Sequence, residues 1–211
     1  MIWHTLLRIG FRLLYNELAW TYDLVSWVVS LGACREWQLA SLSFVKGTTV
    51  LEIAHGPGHM LLAMKRAGFE VTGLDLSAYM SQQARHHLQK ANLSLPLLRG
   101  AAQALPLADN TFDTVLTTFP TDFVLESATL TAVFRVLKPN GRFVVMPSGY
   151  LTGNNFIHRS IEWLYAITGQ RQTAVTHWEP ISQRFTAAGF SVSIHNITLE
   201  NSIALVIVAQ K

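Results

Sequence analysis

The stretch Val50-Leu51-Glu52-Ile53-Ala54-His55-Gly56-Pro57-Gly58 constrains this chain more than any other. It reads as a buried strand that delivers a carboxylate, then a Gly-x-Gly turn, then the start of a helix. The glycines let the chain turn sharply and let a ligand approach the backbone closely. A helix N-terminus after such a turn binds anions, so a dinucleotide pyrophosphate is the first ligand to consider. Two residues argue against it. Leu61 stands where the dinucleotide fingerprint has its third glycine or alanine, and Glu52 ahead of the turn would repel a pyrophosphate. Glu52 suits a cationic ligand instead. A second acid, Asp75, closes the apolar run 71–74, a place where a carboxylate accepts hydrogen bonds from ribose hydroxyls. The alternative is a strand-end acid and a capping residue beside a purely structural turn. The spacing of all the parts together favours the ligand site.

The pattern around this motif alternates short apolar strands with helices. Strands are predicted at 48–54, 69–74, 95–99, 111–118 and 142–146. Helices are predicted at 59–67, 77–91 and 126–137, with Ser77 as an N-cap and Lys138-Pro139-Asn140-Gly141 as a stop. A further helix at 178–188 precedes two strands, 190–199 and 202–208, close enough to form an antiparallel hairpin. This order predicts an α/β fold, a Rossmann-like three-layer sandwich. Its sheet is mostly parallel and seven-stranded, with an antiparallel C-terminal strand. Right-handed crossovers put the carboxyl ends of the parallel strands on one edge, where ligands of such sheets bind.

Residues 1–46 are expected to form an N-terminal helical extension. Residues 47–211 form the main domain, with a substrate-cap insertion at about 148–176. Segment 2–17 is amphipathic: Trp3, Leu6, Leu7, Leu13 and Leu14 share one face, and His4, Arg8, Arg12 and Asn16 another. Such a helix packs on its own domain or lies on an anionic membrane; both readings stay open. Half of the 211 residues are hydrophobic and only 14% are charged, which leaves apolar surface for a lipid, a greasy substrate or a partner chain. A net charge of +3 without a Lys/Arg stripe argues against nucleic acid. The lone cysteine, Cys34, excludes an intramolecular disulfide and a thiolate metal cluster, and it matches a reducing compartment. No metal is expected, since His86 and His87 are adjacent on a helix and point to different faces. No secretory signal or membrane-spanning helix is read. The expected location is cytoplasmic, peripheral on the inner face of the membrane if the N-terminal helix binds lipid.

Over roughly 46–146 these motifs resemble the class I S-adenosylmethionine-dependent methyltransferases of the broad methyltransferase type 11 sort. Motif I corresponds to Glu52 through Gly58, and motif II to Gly73-Leu74-Asp75-Leu76-Ser77 with Met80 in the usual apolar place. Arg99-Gly100-Ala101-Ala102-Gln103-Ala104-Leu105-Pro106 and Arg135-Val136-Leu137-Lys138-Pro139-Asn140-Gly141 match later motifs. The resemblance implies S-adenosyl-L-methionine as cofactor. Glu52 would face its methionyl ammonium, Ala54, His55, Gly56 and Gly58 would cradle it, and Asp75 would hold the ribose. Leu76, Ala101, Ala102 and Gln103 would take the adenine, and Thr117 and Thr118 would line the site. Two departures stand out. Ala54 replaces the first glycine of motif I, and Ala101 stands where an acid often bonds the adenine amine. Tyr22-Asp23-Leu24-Val25-Ser26-Trp27, Ser30-Leu31-Gly32 and Arg35-Glu36-Trp37 resemble the N-terminal region of ubiquinone/menaquinone C-methyltransferases. Bacterial phospholipid N-methyltransferases share such Tyr-Asp segments. The likeness implies that Tyr22 closes over the cofactor's methionine part; a core tyrosine is the alternative.

Methyl transfer needs chiefly positioning, and proton removal only where the acceptor demands it. The candidates for that proton are His55, Asp122, Tyr150 and His158. Phe119-Pro120 after the fourth strand and the aromatic segment 150–176 suit a small hydrophobic or lipid-like acceptor, a phospholipid headgroup or a quinone. A soluble metabolite as acceptor, or a non-catalytic protein that binds the cofactor, are the competing expectations. A nicotinamide dehydrogenase is disfavoured by Leu61 and Glu52. The chain is expected to be a monomer or homodimer.

Overall fold

A computed structural model describes residues 32–152 and 178–211. In chain order its elements are α1 (Cys34–Ala40), β1 (Thr49–Ile53), α2 (His59–Arg66), β2 (Glu70–Asp75), α3 (Ala78–Lys90), β3 (Leu97–Arg99), β4 (Phe112–Thr118), α4 (Ser127–Val136), β5 (Leu137–Leu151), α5 (Trp178–Ala187), β6 (Ser191–Leu199) and β7 (Ser202–Gln210). The strands form one sheet in the order β3-β2-β1-β4-β5-β7-β6. β1 pairs in parallel with β2 and β4, and β4 with β5. β7 runs antiparallel to β5 and β6. The predicted seven-stranded α/β sandwich is the fold observed.

Alternation along each strand divides the core between two faces. Leu51, Ile53, Val115, Phe143, Val145 and Ile207 meet α4 and α5 through Leu130, Val133 and Phe185. Val50, Leu116, Val144, Met146 and Val206 meet α1, α2 and α3 through Trp37, Met60, Met64 and Ala84. Strands buried on both faces explain why 49–53 and 112–118 show no regular polar–apolar alternation. The chain leaves β1 toward β2 and β3, then crosses to β4 on the other side. The carboxyl ends of β1 and β4 therefore flank the switch point of the sheet.

Two boundaries differ from the sequence reading. Lys138-Pro139-Asn140-Gly141 ends α4, but the chain there is already paired. Phe112 lies opposite Leu137 and Thr114 opposite Arg142, so the four residues form a wide bulge, with Asn140 at φ +62°. β5 also continues to Leu151, with Ser148 to Leu151 paired to β7, so the start of the expected insertion lies in the sheet. The amphipathic segment 2–17, Tyr22 and the aromatic stretch around His158 lie outside the described residues. No helix among the described residues is long and apolar enough to cross a membrane.

The amino edge of the sheet is pinned by Asp113 at the start of β4. Its Oδ2 accepts the N–H groups of Thr48 and Thr49 at 3.0 and 2.9 Å and the Thr49 hydroxyl at 2.8 Å. Its Oδ1 meets Lys138 Nζ at 2.9 Å. Gly47, at φ +74°, has to be glycine, because a Cβ there would stand 2.3 Å from the Asp113 side chain. Partial burial pushes the Asp113 carboxyl up. The hydrogen bonds from Thr49, Lys138 and Thr48 outweigh this and hold it well below the usual carboxylate range. Asp113→Ala should therefore destabilise the fold by about 2–3 kcal/mol at pH 7, since it leaves several donors without an acceptor. A folded-state value below the unfolded one contributes fully above about pH 3.9 and fades as pH falls through the folded value. Urea unfolding should show the gap between wild type and variant shrinking below pH 4.

Candidate functional site

Three of the five residues from Ala54 to Gly58 adopt left-handed backbone: Ala54 at φ +55°, Gly56 at +55° and Gly58 at +85°. Two backbone hydrogen bonds hold the turn, one to the neighbouring strand β2 and one within the turn itself. Ala54 N–H donates to the Leu74 carbonyl at 2.7 Å, and Gly58 N–H to the His55 carbonyl at 3.1 Å. Gly58 starts α2 and lies against α3, where a Cβ would stand 2.7 Å from that of Ala84. At Gly56 nothing stands within 4 Å of a Cβ's place, so the backbone there is open to close approach. His87 Nδ1 lies 2.9 Å from the Pro57 carbonyl, and His87 stacks on His59 with centroids 4.9 Å apart. These histidines brace the turn from outside.

Asp75 joins the turn to the end of β2. Its Oδ2 accepts Gly56 N–H at 2.9 Å and its Oδ1 accepts Ser77 N–H at 2.8 Å. Ser77 caps α3 as expected, with its Oγ accepting Met80 N–H at 3.2 Å. Each carboxylate oxygen keeps a lone pair for a further donor. Leu76 beside it is 68% exposed, an apolar platform next to a carboxylate. Met80 is buried in the core, so it supports this corner from below.

Glu52 is 1% exposed. Its Oε2 has no hydrogen-bond partner among the described residues. Burial pushes its carboxyl well up, the nearby Asp75 pushes it further, and the N–H of Leu61 opposes both. A buried, unpaired carboxyl beside a second acid is a site that lacks a positive charge. His55 is also buried. Burial lowers its pKa, against the raising influence of Asp75 and of its backbone hydrogen bonds. The neutral ring donates Nδ1–H to the Gly56 carbonyl at 2.8 Å, and its Nε2 has no partner among the described residues. The ring edge lies beside Gly73, under the turn. His55 shapes the turn more readily than it reaches an acceptor at β4. A cationic amino-acid group and a ribose fit this donor and acceptor set: an orphan carboxyl, an open Gly56 backbone, Asp75 lone pairs and Leu76.

The segment expected to meet an adenine consists of Ala101 and a 3-10 turn, Ala102–Ala104. Ala102 is buried and Gln103 half-buried. Gln103 Nε2 donates to Glu126 Oε2 at 2.9 Å, which leaves its amide oxygen to meet a donor. Arg135 holds the chain beyond, donating to the carbonyls of Leu105 and Leu107 and to Asp109 at 2.6–2.8 Å.

At the end of β4, Thr117 is fully buried, and its Oγ1 has no partner among the described residues. Thr118 Oγ1 accepts Gln38 Nε2 of α1 at 3.1 Å. Phe119 follows, half-buried and at φ +51°. Asp122 is exposed on the 3-10 turn Asp122–Leu125, at the rim of a cavity whose walls include Pro120, Val145, Pro147, Phe185 and Ile207. Tyr150 lies in β5, with its hydroxyl 3.2 Å from Ser148 Oγ. The structure thus groups Glu52, Ala54, His55, Gly56, Gly58, Asp75 and Leu76 at β1 and β2, and Thr117, Thr118 and Asp122 at β4. Gln38 and Phe119's backbone were not expected as parts of it. Trp37 stood in a quoted motif, but nothing in sequence says which strand it meets.

Residues 51–145 match the family described as Methyltransferase domain. A demethylmenaquinone methyltransferase of Lactiplantibacillus plantarum is 30% identical over 205 residues, which cover 84% of this chain and 86% of the relative. A ubiquinone/menaquinone biosynthesis C-methyltransferase of Syntrophotalea carbinolica is 35% identical over 141 residues, 64% of this chain and 60% of that protein's length. Among solved structures, a SAM-dependent methyltransferase from Aquifex aeolicus superposes with a TM-score of 0.59 at 18% identity, covering 83% of this chain and 88% of that one. A phosphoethanolamine N-methyltransferase from Haemonchus contortus, in complex with phosphomonomethylethanolamine and S-adenosylhomocysteine, gives 0.61 at 18% identity over 82% of this chain and 52% of that one. At such identities the two structures speak for the fold.

Ala54 holds left-handed backbone at a cost of roughly 1–2 kcal/mol, against a glycine entropy cost of about 0.5–1 kcal/mol. Ala54→Gly should be stabilising by about 0.5 kcal/mol, or ~1–2 °C in melting temperature for a chain of this size. A calorimetric scan that shows a lowered midpoint would contradict this account of the turn.

Proposed function

Because the chain belongs to the class I S-adenosylmethionine-dependent methyltransferases, we propose that it methylates a ring carbon of a quinol that carries an apolar tail. The enzyme's cofactor is S-adenosylmethionine. The observation that carries the acceptor is the surface at the end of β4. Pro120 and Asp122 line a narrow crevice whose other walls include the apolar Val145, Pro147, Phe185 and Ile207, and half-buried Phe119 precedes Pro120 in the chain. A small charged headgroup would find little there to bind. The demethylmenaquinone and ubiquinone/menaquinone relatives support the same acceptor class. A bilayer-borne acceptor also gives the amphipathic segment 2–17, with Arg8 and Arg12, a reason to lie on a membrane.

The bound cofactor supplies an activated methyl group. This chain's residues would hold and orient it: Glu52 toward the methionyl ammonium, Asp75 toward the ribose, and Leu76 against the adenine. Gln103, turned by Glu126, would offer its amide oxygen to the adenine amine in place of the acid absent at Ala101. The acceptor carbon gains nucleophilicity when a quinol hydroxyl loses its proton. In this reading Asp122 would take it. His55 serves the turn in this reading, and Thr117 and Thr118 line the gap between cofactor and acceptor.

The assay is anaerobic incubation with S-adenosylmethionine and reduced 2-methyl-1,4-naphthoquinone, followed by mass spectrometry. A ring-methylated product is expected. Turnover of a soluble amine with none of the quinol would overturn the proposal. A second prediction concerns protons. Glu52 sits high in the ligand-free protein, and a bound ammonium lowers it, so binding should release a proton and tighten as pH rises toward the ligand-free value. Calorimetric titration with S-adenosylhomocysteine in phosphate and in Tris should give different apparent enthalpies. Identical enthalpies would remove Glu52 from the ammonium site.

A further inference from the structure

Five non-glycine residues among those described have positive φ: Ala54, Asn92, Asn110, Phe119 and Asn140. Asparagine tolerates this region, whereas a bulky aromatic in it is an outlier. Ala54 and Phe119 remain, and they stand at the carboxyl ends of β1 and β4. Ala54 belongs to the cofactor turn. Phe119 has no such account.

Strain of this kind persists only where the surroundings over-determine it. Phe119 N–H donates to the Met146 carbonyl at 2.7 Å. Its ring meets Trp37, with centroids 6.2 Å apart and planes at 59°. The residue before it, Thr118, is bonded to Gln38 at 3.1 Å. Trp37 is fixed in turn. Its indole N–H donates to Ser202 Oγ at 2.9 Å, and a Cβ on Gly149 would come within 2.3 Å of its ring. Helix α1 is thus latched over the end of β4 through Gln38 and Trp37. A ring that only filled space would be buried, but Phe119 is half-buried. It leans on Trp37 and keeps partial exposure at the carboxyl edge of the sheet. Aromatic pairs favour offset or edge-to-face contact, so a ring held this way offers a planar acceptor a preformed partner.

We propose that Phe119 is a specificity-determining residue, whose ring, set by left-handed backbone and backed by Trp37, is the platform on which a planar aromatic acceptor stacks. The proposal rests on the quinol reading above. It explains why a conformation suited to glycine or asparagine is occupied by phenylalanine.

The test compares wild type, Phe119→Gly and Phe119→Tyr in the reduced 2-methyl-1,4-naphthoquinone assay. Glycine suits the backbone, so Phe119→Gly should keep its melting temperature and its affinity for S-adenosylhomocysteine. Its KM for the quinol should rise at least tenfold while kcat changes less than threefold, and Phe119→Tyr should restore KM. An unchanged KM in Phe119→Gly would overturn the proposal. So would a loss shared equally by kcat and thermal stability that tyrosine fails to rescue, because that marks a packing role. If wild type does not turn over the quinol, the quinol reading falls, and Phe119 is judged by anaerobic equilibrium dialysis of the same compound with S-adenosylhomocysteine present. Binding to wild type that weakens at least tenfold in Phe119→Gly then supports the platform. Equal binding, or none to wild type, overturns it.

Discussion

The Asp75 carboxylate is the joint on which the site depends. One oxygen holds Gly56 of the turn after β1, and the other holds Ser77 at the start of α3. Charge-assisted bonds of this sort are stronger than neutral ones, and here they fix the height of the β1 turn relative to the tip of β2. The same carboxylate raises the cost of ionising Glu52 across the turn. One residue therefore shapes the turn, keeps lone pairs for a further donor, and leaves its neighbour in need of a cation.

The two edges of the sheet are built to opposite ends. At the amino edge, Asp113 satisfies donors from β1 and Lys138 together. At the carboxyl edge, polarity is left unmet. Of five buried side-chain atoms without a partner among the described residues, Glu52 Oε2, His55 Nε2 and Thr117 Oγ1 lie at the ends of β1 and β4. Unsatisfied buried polar groups cost stability and call for an explanation at each position. Their gathering at the switch point supports the proposed ligand site, with Glu52 Oε2 the atom most in need of a partner.

What was legible in the sequence were the parts whose physics is local. The strand-helix alternation, the N-cap at Ser77 and the left-handed turn at Gly56 and Gly58 each follow from residue types a few positions apart. The substitution at Ala54 kept the turn because its φ is sterically costly but reachable. Long-range pairs were not legible. Gln38 and Thr118 are 80 residues apart, Trp37 and Ser202 are 165 apart, and Thr49 and Asp113 are 64 apart. No periodicity or motif announces such partners. The Lys138 to Gly141 stretch stops α4 as read, but its second role was not legible: pairing with β4 also makes it a bulge in β5.

Strain completes the argument about where function sits. Local preference and tertiary structure agree through most of the described chain, as they must for a single fold to win. They disagree at Ala54 and Phe119, which follow the carboxyl ends of the neighbouring strands β1 and β4. At Ala54 a methyl group is held where glycine would be cheaper, and at Phe119 a whole ring is. A random defect would be expected anywhere, including the long β6-β7 hairpin, yet the non-glycine, non-asparagine outliers among the described residues fall on these two strand ends. Strain so placed fits the proposed function, in which a cofactor held by the turn after β1 and an acceptor at the end of β4 have to meet across a single gap.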